Sequence, residues 1–444
     1  MTDTASASAP VNKRGRVIFA SLVGTSIEFY DFYIYATAAV LVFPKLFFPN
    51  ADPTTQLLGS FAVFGVAFIA RPLGSIIFGH LGDRIGRKGT LIGSLLTMGV
   101  ATFLIGCLPT AATPGWVVLA PLCLVILRFC QGIGLGGEWS GAALLATENA
   151  PEGKRAIYGT FPQLGAPIGF ILANIFFIIM SQSLTPEAFA SWGWRVPFLA
   201  SAVLVLLGLY VRLQLVESPA FQRVQAQGAV RRVPLGDVVT THLRPLILGT
   251  FNMLATYVLF YLLTTFVLSF GTAAPDAQVP GLGYPRSQFL AMMIVGVVFF
   301  GAFVLVAGPL AERFGRRRAL LVITAGIAVF GALWVPMFGG GFVGVMAVLI
   351  IGFSLMGLTY GPMGALLPEM FPTNVRYTGS AVSYNLASIL GAAVAPFIAL
   401  FLWRSAGGSP VLVGLYLSGA AVITMVSLFL TRETRDQAYE TNVG

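Results

Sequence analysis

The chain has 444 residues, of which 57% are hydrophobic and only 10% are charged. A soluble domain carries roughly 25% charged residues, so this composition excludes an ordinary soluble enzyme or binding domain. The net charge of +9 would suit a nucleic-acid partner, but the positions of the basic residues account for it without one.

Twelve apolar stretches are long enough to cross a bilayer, which takes about 20 residues in a helix. They predict an all-helical membrane protein in which two pseudo-symmetric bundles of six helices, residues 1–216 and 244–444, flank a cytoplasmic linker at 217–243. The stretches lie at 17–43, 57–80, 89–108, 116–137, 156–180, 194–216, 245–270, 287–310, 319–338, 341–366, 377–402 and 411–431.

The basic residues sort to one side of the predicted membrane. Most of the 26 Lys and Arg residues fall in segments on the same side as the N-terminus. An excess of Lys and Arg marks cytoplasmic loops, so we expect both termini to be cytoplasmic and no nucleic-acid partner. The exceptions are Lys45, Arg195, Arg286 and Arg404, which fall on the other side, and Arg71 and Arg128, which fall within spans.

A ten-residue loop after the second stretch recurs after the eighth. Residues 79–88 read Gly-His-Leu-Gly-Asp-Arg-Ile-Gly-Arg-Lys, and residues 308–317 read Gly-Pro-Leu-Ala-Glu-Arg-Phe-Gly-Arg-Arg. Further along each half, Glu148 of the first matches Glu369 of the second. Such matches between long apolar stretches indicate an internal repeat.

The acid of each repeated loop, Asp83 or Glu312, is followed by Arg-x-Gly-Arg and a further basic residue. The basic residues could serve membrane topology alone. We favour an additional role, in which each acid holds neighbouring helix ends together in one conformation and releases them in another. Gly82 and Gly86 would permit the tight turn. The predicted gating residues are Asp83, Arg84, Arg87, Glu138, Glu148, Glu312, Arg313, Glu369 and Arg376.

Four charged side chains fall in the middle of the predicted spans of the first half, away from the span ends. Glu28 and Asp31 belong to the first span, Arg71 to the second and Arg128 to the fourth. A charge at mid-membrane costs about 2.5 to 3.5 kcal/mol on insertion scales, so these residues are functional candidates. Helical spacing places the two acids on one stripe with Tyr35, and a rise of about 1.5 Å per residue brings the charges to a similar depth.

Two interpretations of this cluster remain open. It could be a buried ion-pair network that only locks three helices together, or a site where Glu28 and Asp31 exchange a proton while the arginines bind an anionic substrate. We favour the second, because both histidines lie in cytoplasmic segments and leave proton coupling to carboxylates. Arg128, one turn from Gln131, is the preferred substrate contact. Arg71 is expected to pair with one of the two acids.

The spans of the second half contain no Asp, Glu, Lys, Arg or His in their interiors. They can offer a substrate only hydroxyl, amide and aromatic contacts. A tyrosine in a membrane helix is more often a packing residue or an interface anchor, whereas a buried amide is costly without a partner. The predicted substrate-binding residues are Tyr35, Arg71, Arg128, Gln131, Gln163, Asn252, Tyr257, Tyr261, Tyr384 and Asn385, with Tyr360 as a further candidate.

Several segments together resemble a known family. The loop at 79–88 resembles the hallmark of the major facilitator superfamily of transporters. Segments 28–33 (Glu-Phe-Tyr-Asp-Phe-Tyr), 71–74 (Arg-Pro-Leu-Gly), 128–132 (Arg-Phe-Cys-Gln-Gly) and 136–139 (Gly-Gly-Glu-Trp) narrow the resemblance to the metabolite:proton symporter family. That family includes bacterial carriers for shikimate, 2-oxoglutarate, citrate and proline/betaine.

The resemblance implies a secondary transporter of the bacterial cytoplasmic membrane that imports a small metabolite by proton symport through alternating access. An enzyme is not expected, because the sequence has no segment that could form a soluble catalytic domain. A channel is not expected either, because duplicated halves suit rocking between two states. The intramembrane arginines favour an organic acid, while a zwitterionic osmolyte (betaine or proline) and a sugar remain alternatives. We expect one chain to function as a monomer without cofactor or metal.

Overall fold

The computed structural model of the protein describes residues 14–217, 221–222, 225, 234–277 and 279–435. Within these residues, 12 helices are long and apolar enough to cross a membrane, close to the positions that the sequence predicts. The first six are α1 Arg14–Ala39, α2 Ala62–Arg84, α3 Arg87–Cys107, α4 Leu119–Glu148, α5 Arg155–Met180 and α6 Arg195–Leu213. The other six are α7 Leu243–Thr272, α8 Ser287–Phe314, α9 Arg316–Phe338, α10 Gly341–Glu369, α11 Arg376–Ser405 and α12 Val411–Leu430.

Three of the helices are interrupted along their length. Helix α5 consists of Arg155–Gln163 and Gly165–Ser183, with Pro162 next to the break. Helix α7 contains a π-helical turn at Leu262–Phe266, and α11 contains one at Ile389–Ala393. Non-helical backbone at membrane depth is tolerated where it is buried in protein or lines a cavity, and π turns are frequent at functional sites. These breaks therefore mark the helices most suited to form a binding site.

Part of the predicted linker is a short helix, Pro234–Thr241. Val238 of this helix is buried with Phe371 and Val375, and Ile76 of α2 packs against the same cluster. The helix thus touches both halves of the protein. Most of the remaining linker lies outside the described residues, so the domain boundaries at residues 216 and 244 stay predictions.

Helices α2 and α4 pack backbone against backbone. A Cβ atom added to Gly74 would collide with the carbonyl group of Ile133, and one added to Gly136 would collide with the carbonyl oxygen of Arg71. Small residues permit this close approach in membrane bundles. The contacts show that Gly136 of α4 and Gly74 of α2 serve helix packing.

The two repeated loops lie at one face of the molecule, which we call the repeat-loop face. Gly86 and Gly315, with φ of 114° and 90°, form the tight turns there, since a positive φ favours glycine. Gly82 was expected to serve the same turn, but it lies within α2. Its missing side chain instead makes room for the ring of Tyr377 from α11.

A matched pair of glycines on α2 tests the importance of this packing. We expect Gly74→Ala to lower the thermal unfolding midpoint of the purified protein, because overpacking typically costs about 1 to 3 kcal/mol. Gly65→Ala is the control, since an added Cβ there has no neighbour within 4 Å and alanine favours the helix. Equal midpoints for the two variants would contradict the close α2–α4 contact.

Candidate functional site

A cavity lies between the two halves, with α1, α2 and α5 on one side and α7, α10 and α11 on the other. It encloses about 400 Å³ of empty space between protein atoms, a figure that includes any part open to solvent. Its walls are mainly aromatic, and the residues that line it include one charged side chain, Arg71. The lining residues are Phe29, Phe32, Tyr33, Arg71, Ala166, Met253, Thr256, Tyr257, Phe260, Tyr261, Met356, Tyr360 and Tyr384.

The Arg71 guanidinium faces this cavity without an ionic partner among the described residues. The residue is only 3% exposed, and its Nε has no hydrogen-bond partner. Its guanidinium carbon lies 5.3 Å from the ring centroid of Phe32 and 5.5 Å from that of Phe68. The expected ion pair with Glu28 or Asp31 therefore does not form. A buried cation without a partner is costly, so this site favours an anion.

Neither of the two acids of α1 is among the residues that line the cavity. Glu28 and Asp31 are 1% and 0% exposed. Asp31 Oδ2 accepts a hydrogen bond from Ser201 of α6 at 3.4 Å, while Asp31 Oδ1 and Glu28 Oε2 have no partner. Phe29 and Tyr33 of α1 do line it. The acids are therefore buried within the first bundle and do not line the cavity.

Arg128, the preferred substrate contact from the sequence, also lies outside the cavity. Its guanidinium carbon is 3.9 Å from the ring centroid of Tyr35, and its Nη1 donates to Gln131 Oε1 at 3.0 Å. Gln131 donates in turn to Thr102 Oγ1 of α3 at 2.7 Å. Tyr35, Arg128 and Gln131 are thus not among the residues that line the cavity, and their role as substrate contacts stays a prediction.

Side chains of both halves form the floor of the cavity, between the cavity and the repeat-loop face. The rings of Trp139 in α4 and Tyr384 in α11 stack with centroids 3.9 Å apart and planes 5° from parallel. Trp139 Nε1 donates to Gln163 Oε1 at 2.7 Å, and Gln163 Nε2 donates to the carbonyl oxygen of Tyr360 at 2.6 Å. The hydroxyl groups of Tyr360 and Tyr384 are 3.1 Å apart. Gln163 therefore belongs to the floor and not to the lining.

The two asparagines that the sequence placed in the substrate site connect helices elsewhere. Asn252 Nδ2 donates to Thr431 Oγ1 at 3.1 Å. Asn385 Nδ2 donates to the carbonyl oxygen of Gly136, in the other half, at 3.0 Å. A buried amide needs such partners, and both lie outside the cavity. The predicted substrate-binding residues that do line it are Arg71, Tyr257, Tyr261 and Tyr384, together with the further candidate Tyr360.

At the repeat-loop face, the acid of the first loop bonds to the opposite half. Asp83 Oδ1 accepts from the backbone N–H of Tyr377 at 3.2 Å, and Oδ2 accepts from the backbone N–H of Thr378 at 2.9 Å. These groups lie at the N-terminus of Arg376–Ser388, where the helix dipole favours an anion. Arg87 Nη1 lies 3.0 Å from the same carboxylate.

The acid of the second loop makes the corresponding contact from the second half to the first. Glu312 Oε1 accepts from the backbone N–H of Ala156 at 2.6 Å, at the N-terminus of Arg155–Gln163. Arg316 Nη1 donates to Glu312 Oε2 at 2.7 Å. Each half thus binds, through its repeated acid, the start of the fifth helix of the other half. Together these contacts close the repeat-loop face.

Buried ion pairs surround both contacts. Glu148 Oε1 lies 3.4 Å from Arg87 Nη2 and 3.7 Å from Arg376 Nη1, so it joins a base of each half. Glu369 Oε1 lies 3.1 Å from Arg316 Nη2 within the second half. Removing one partner from a buried ion pair leaves an uncompensated charge and is strongly destabilising. Separating the halves would leave Glu148 with fewer partners.

Three of the predicted gating residues lie outside this network. Arg84 and Arg313 are exposed, and Arg84 Nη1 lies 3.2 Å from His80 Nε2. Glu138 is buried but forms its ion pair with Arg212 of α6, within its own bundle. We therefore exclude these three residues from the contact between the halves.

Comparison with known proteins decides the family. The family model for the Major Facilitator Superfamily matches residues 21–396. The chain belongs to this superfamily. In agreement, it is 57% identical over 431 residues to the inner membrane metabolite transport protein YhjE of Escherichia coli, covering 97% of this chain and 96% of that protein.

More distant relatives of this superfamily member have named substrates. It is 36% identical over 436 residues to the shikimate transporter of Escherichia coli, covering 96% of each chain. It is 33% identical over 441 residues to the proline/betaine transporter of Salmonella typhimurium, covering 96% of this chain and 85% of that protein. The solved structure of the proton:xylose symporter XylE bound to 6-bromo-6-deoxy-D-glucose matches with a TM-score of 0.79 at 17% identity, covering 97% of this chain and 98% of that one. The protein is thus a metabolite transporter and not an enzyme.

Several important residues of this superfamily member were not identified from the sequence. Phe29, Phe32 and Tyr33 follow the three- and four-residue spacing of one helix face, which could have shown that α1 has a second, aromatic side. Arg316 is the counterpart of Arg87 in the repeat, so the alignment of the two loops could have indicated it. No sequence signal indicates the Trp139 stack, because its partner lies in the other half.

The contacts of Asp83 lead to a prediction for this transporter. We expect Asp83→Asn to slow transport strongly, because the amide replaces a charged acceptor for two backbone N–H groups and weakens the closed repeat-loop face. Binding of the substrate should stay within a few-fold, since Asp83 does not line the cavity. Uptake into proteoliposomes and binding to the purified protein measure the two effects. Arg84→Gln, in the same loop but outside the network, is the control. Loss of binding in folded Asp83→Asn would rule out a purely conformational role.

Proposed function

We propose that this transporter imports a small organic acid, as its carboxylate, together with protons. Transport proceeds by alternating access in the bacterial cytoplasmic membrane, with the repeat-loop face and both termini in the cytoplasm. One observation carries the choice of substrate. Arg71 is a buried cation without an ionic partner among the described residues, in a cavity that no described carboxylate lines. A carboxylate would supply the missing charge through paired hydrogen bonds to the planar guanidinium.

The proposed proton carriers are Glu28 and Asp31. Both are buried, and each has one carboxylate oxygen without a hydrogen-bond partner. A buried carboxylate without a paired base is costly when ionised, which supports proton uptake at these positions. Because neither acid lines the cavity, the proton and the substrate occupy different places in the first bundle.

The contacts at the repeat-loop face support the alternating-access part of the proposal. Asp83 and Glu312 close this face by binding helix N-termini of the opposite half. Release of a substrate into the cytoplasm requires these hydrogen bonds and the floor of the cavity to open. The halves would then separate at this face around the cavity, as in other transporters that are built from repeats.

A zwitterionic osmolyte is the second candidate, and the aromatic walls of the cavity favour it. Aromatic rings bind quaternary ammonium groups through cation–π contacts, and the chain is 33% identical to a proline/betaine transporter. A thermal-shift screen with organic acids, betaine, proline and sugars distinguishes these candidates, because a ligand that binds the folded state raises the unfolding midpoint.

Proton coupling is tested by measuring uptake of the organic acid into proteoliposomes across which a proton gradient is imposed. We expect uphill accumulation of the organic acid to need an inward proton gradient, and to vanish when an uncoupler collapses that gradient. Counterflow of labelled against unlabelled substrate should persist, because exchange needs no net driving force. Accumulation that is unchanged by the uncoupler would rule out proton symport.

Substitutions of the two buried arginines, Arg71 and Arg128, are expected to affect substrate affinity differently. We expect Arg71→Lys to weaken binding of the organic acid, because lysine keeps the charge but loses the planar pair of donors. A lost charge-assisted hydrogen bond is worth about 1.5 to 3 kcal/mol, or roughly ten- to a hundred-fold in affinity. Arg128→Lys, outside the cavity lining, should bind with nearly unchanged affinity if it folds. Equilibrium binding to both purified variants checks this, and the reverse order would restore Arg128 as the substrate contact.

A further inference from the structure

The residues that line the cavity restrict the chemical identity of the transported acid further than Arg71 does alone. We infer that the transported acid carries a single carboxylate, and that this carboxylate is attached to a ring. The inference rests on the proposed function, because it assumes that an organic acid binds in this cavity. Three features of the lining carry it: its charge, its aromatic surfaces and its free hydroxyl group.

The charge of the lining matches one carboxylate. Arg71 is the one charged side chain among the described lining residues. Arg128 is not among them, and its guanidinium carbon packs on the rings of Tyr35 and Phe32 at 3.9 and 5.2 Å from their centroids. An acid with two carboxylates would therefore hold one of them in the cavity without a cation, and an unpaired buried charge is strongly unfavourable. A betaine would bring a second cation next to Arg71 with no protein carboxylate in the lining to balance it. A monocarboxylate leaves the cavity neutral.

The surfaces of the cavity suit a ring. Eight of the lining side chains are aromatic, and they come from both halves: Phe29, Phe32, Tyr33, Tyr257, Phe260, Tyr261, Tyr360 and Tyr384. The centroids of Tyr33 in α1 and Phe260 in α7 are 6.4 Å apart, so the two halves meet through rings. Aromatic faces and edges pack well against another ring. A short acyclic acid would leave much of this apolar surface uncovered.

One hydroxyl group of the lining lacks a partner. Tyr257 OH is buried without a hydrogen bond of normal geometry, and Tyr257 lines the same cavity as Arg71. A buried donor of this kind costs free energy until it is satisfied. A carboxylate that accepts from Arg71 would also be in place to accept from Tyr257, which leaves the ring to lie among the aromatic side chains.

The test is a binding screen of the purified full-length protein. The probes are benzoate and cyclohexanecarboxylate as ring monocarboxylates, butyrate as an acyclic one, succinate and citrate, glycine betaine, glucose, and benzyl alcohol as a ring without a carboxylate. We expect the ring monocarboxylates to raise the unfolding midpoint most, and benzyl alcohol to leave it unchanged. Their affinity should be at least about tenfold higher than that of butyrate or succinate.

Three variants show whether the cavity is responsible for binding. Arg71→Gln should lower the affinity for benzoate roughly ten- to a hundred-fold. Phe260→Leu should lower the affinity for benzoate more than the affinity for butyrate, because the substitution removes a ring from the lining. Phe266→Leu is its control, a buried ring on the same helix that does not line the cavity. Equal effects of Phe260→Leu and Phe266→Leu on the benzoate affinity would count against the inference.

The outcomes separate the inference from the proposed function. If succinate or citrate binds more tightly than the ring monocarboxylates, and Arg71→Gln abolishes that binding, an acid transporter remains but the inference is wrong. If glycine betaine or glucose binds while none of the organic-acid probes binds, both the inference and the proposed function are wrong. The absence of any shift with benzoate and cyclohexanecarboxylate at millimolar concentration also overturns the inference.

Discussion

A buried carboxylate bonded to the start of a helix in the opposite half is the contact on which the arrangement of the protein depends. Asp83 accepts hydrogen bonds from two backbone N–H groups of α11, and Arg87 balances its charge. The bond combines a helix dipole, a full charge and low solvent exposure, each of which strengthens it. Because it crosses between the halves, it also determines that the cavity is closed towards the repeat-loop face.

The internal repeat explains why this contact occurs twice. Glu312 binds the start of α5 as Asp83 binds the start of α11, so one sequence motif serves both halves. The symmetry is incomplete, since Glu148 is paired with bases of both halves whereas Glu369 is paired within its own. In the proposed mechanism, opening of the face breaks both contacts, which suits a motion between two discrete states.

Inside the membrane, most of the charged side chains and most of the aromatic surface lie in two different regions. The acids of α1 and the Arg128 cluster lie within the first bundle, while the cavity between the bundles is aromatic with Arg71 as its charge. Trp139, Tyr384 and Gln163 form a thin layer between that cavity and the repeat-loop face. In the proposed mechanism, a ligand that contacts Tyr384 touches the layer that opens, so binding could influence the closure of the repeat-loop face.

The sequence by itself determined the fold class, the twelve spans, the internal repeat and the acids of the two loops. A bilayer forces each apolar stretch into a helix, and a charged loop between such stretches stands out clearly. The sequence also identified Arg71 and three tyrosines that line the cavity. It could not decide which side of α1 or α4 faces that cavity, because both sides of a helix inside a bundle are buried. Only the tertiary structure decided that Phe29 lines the cavity while Glu28 does not, that Arg128 packs on Tyr35, and that Asn252 and Asn385 donate hydrogen bonds to neighbouring helices.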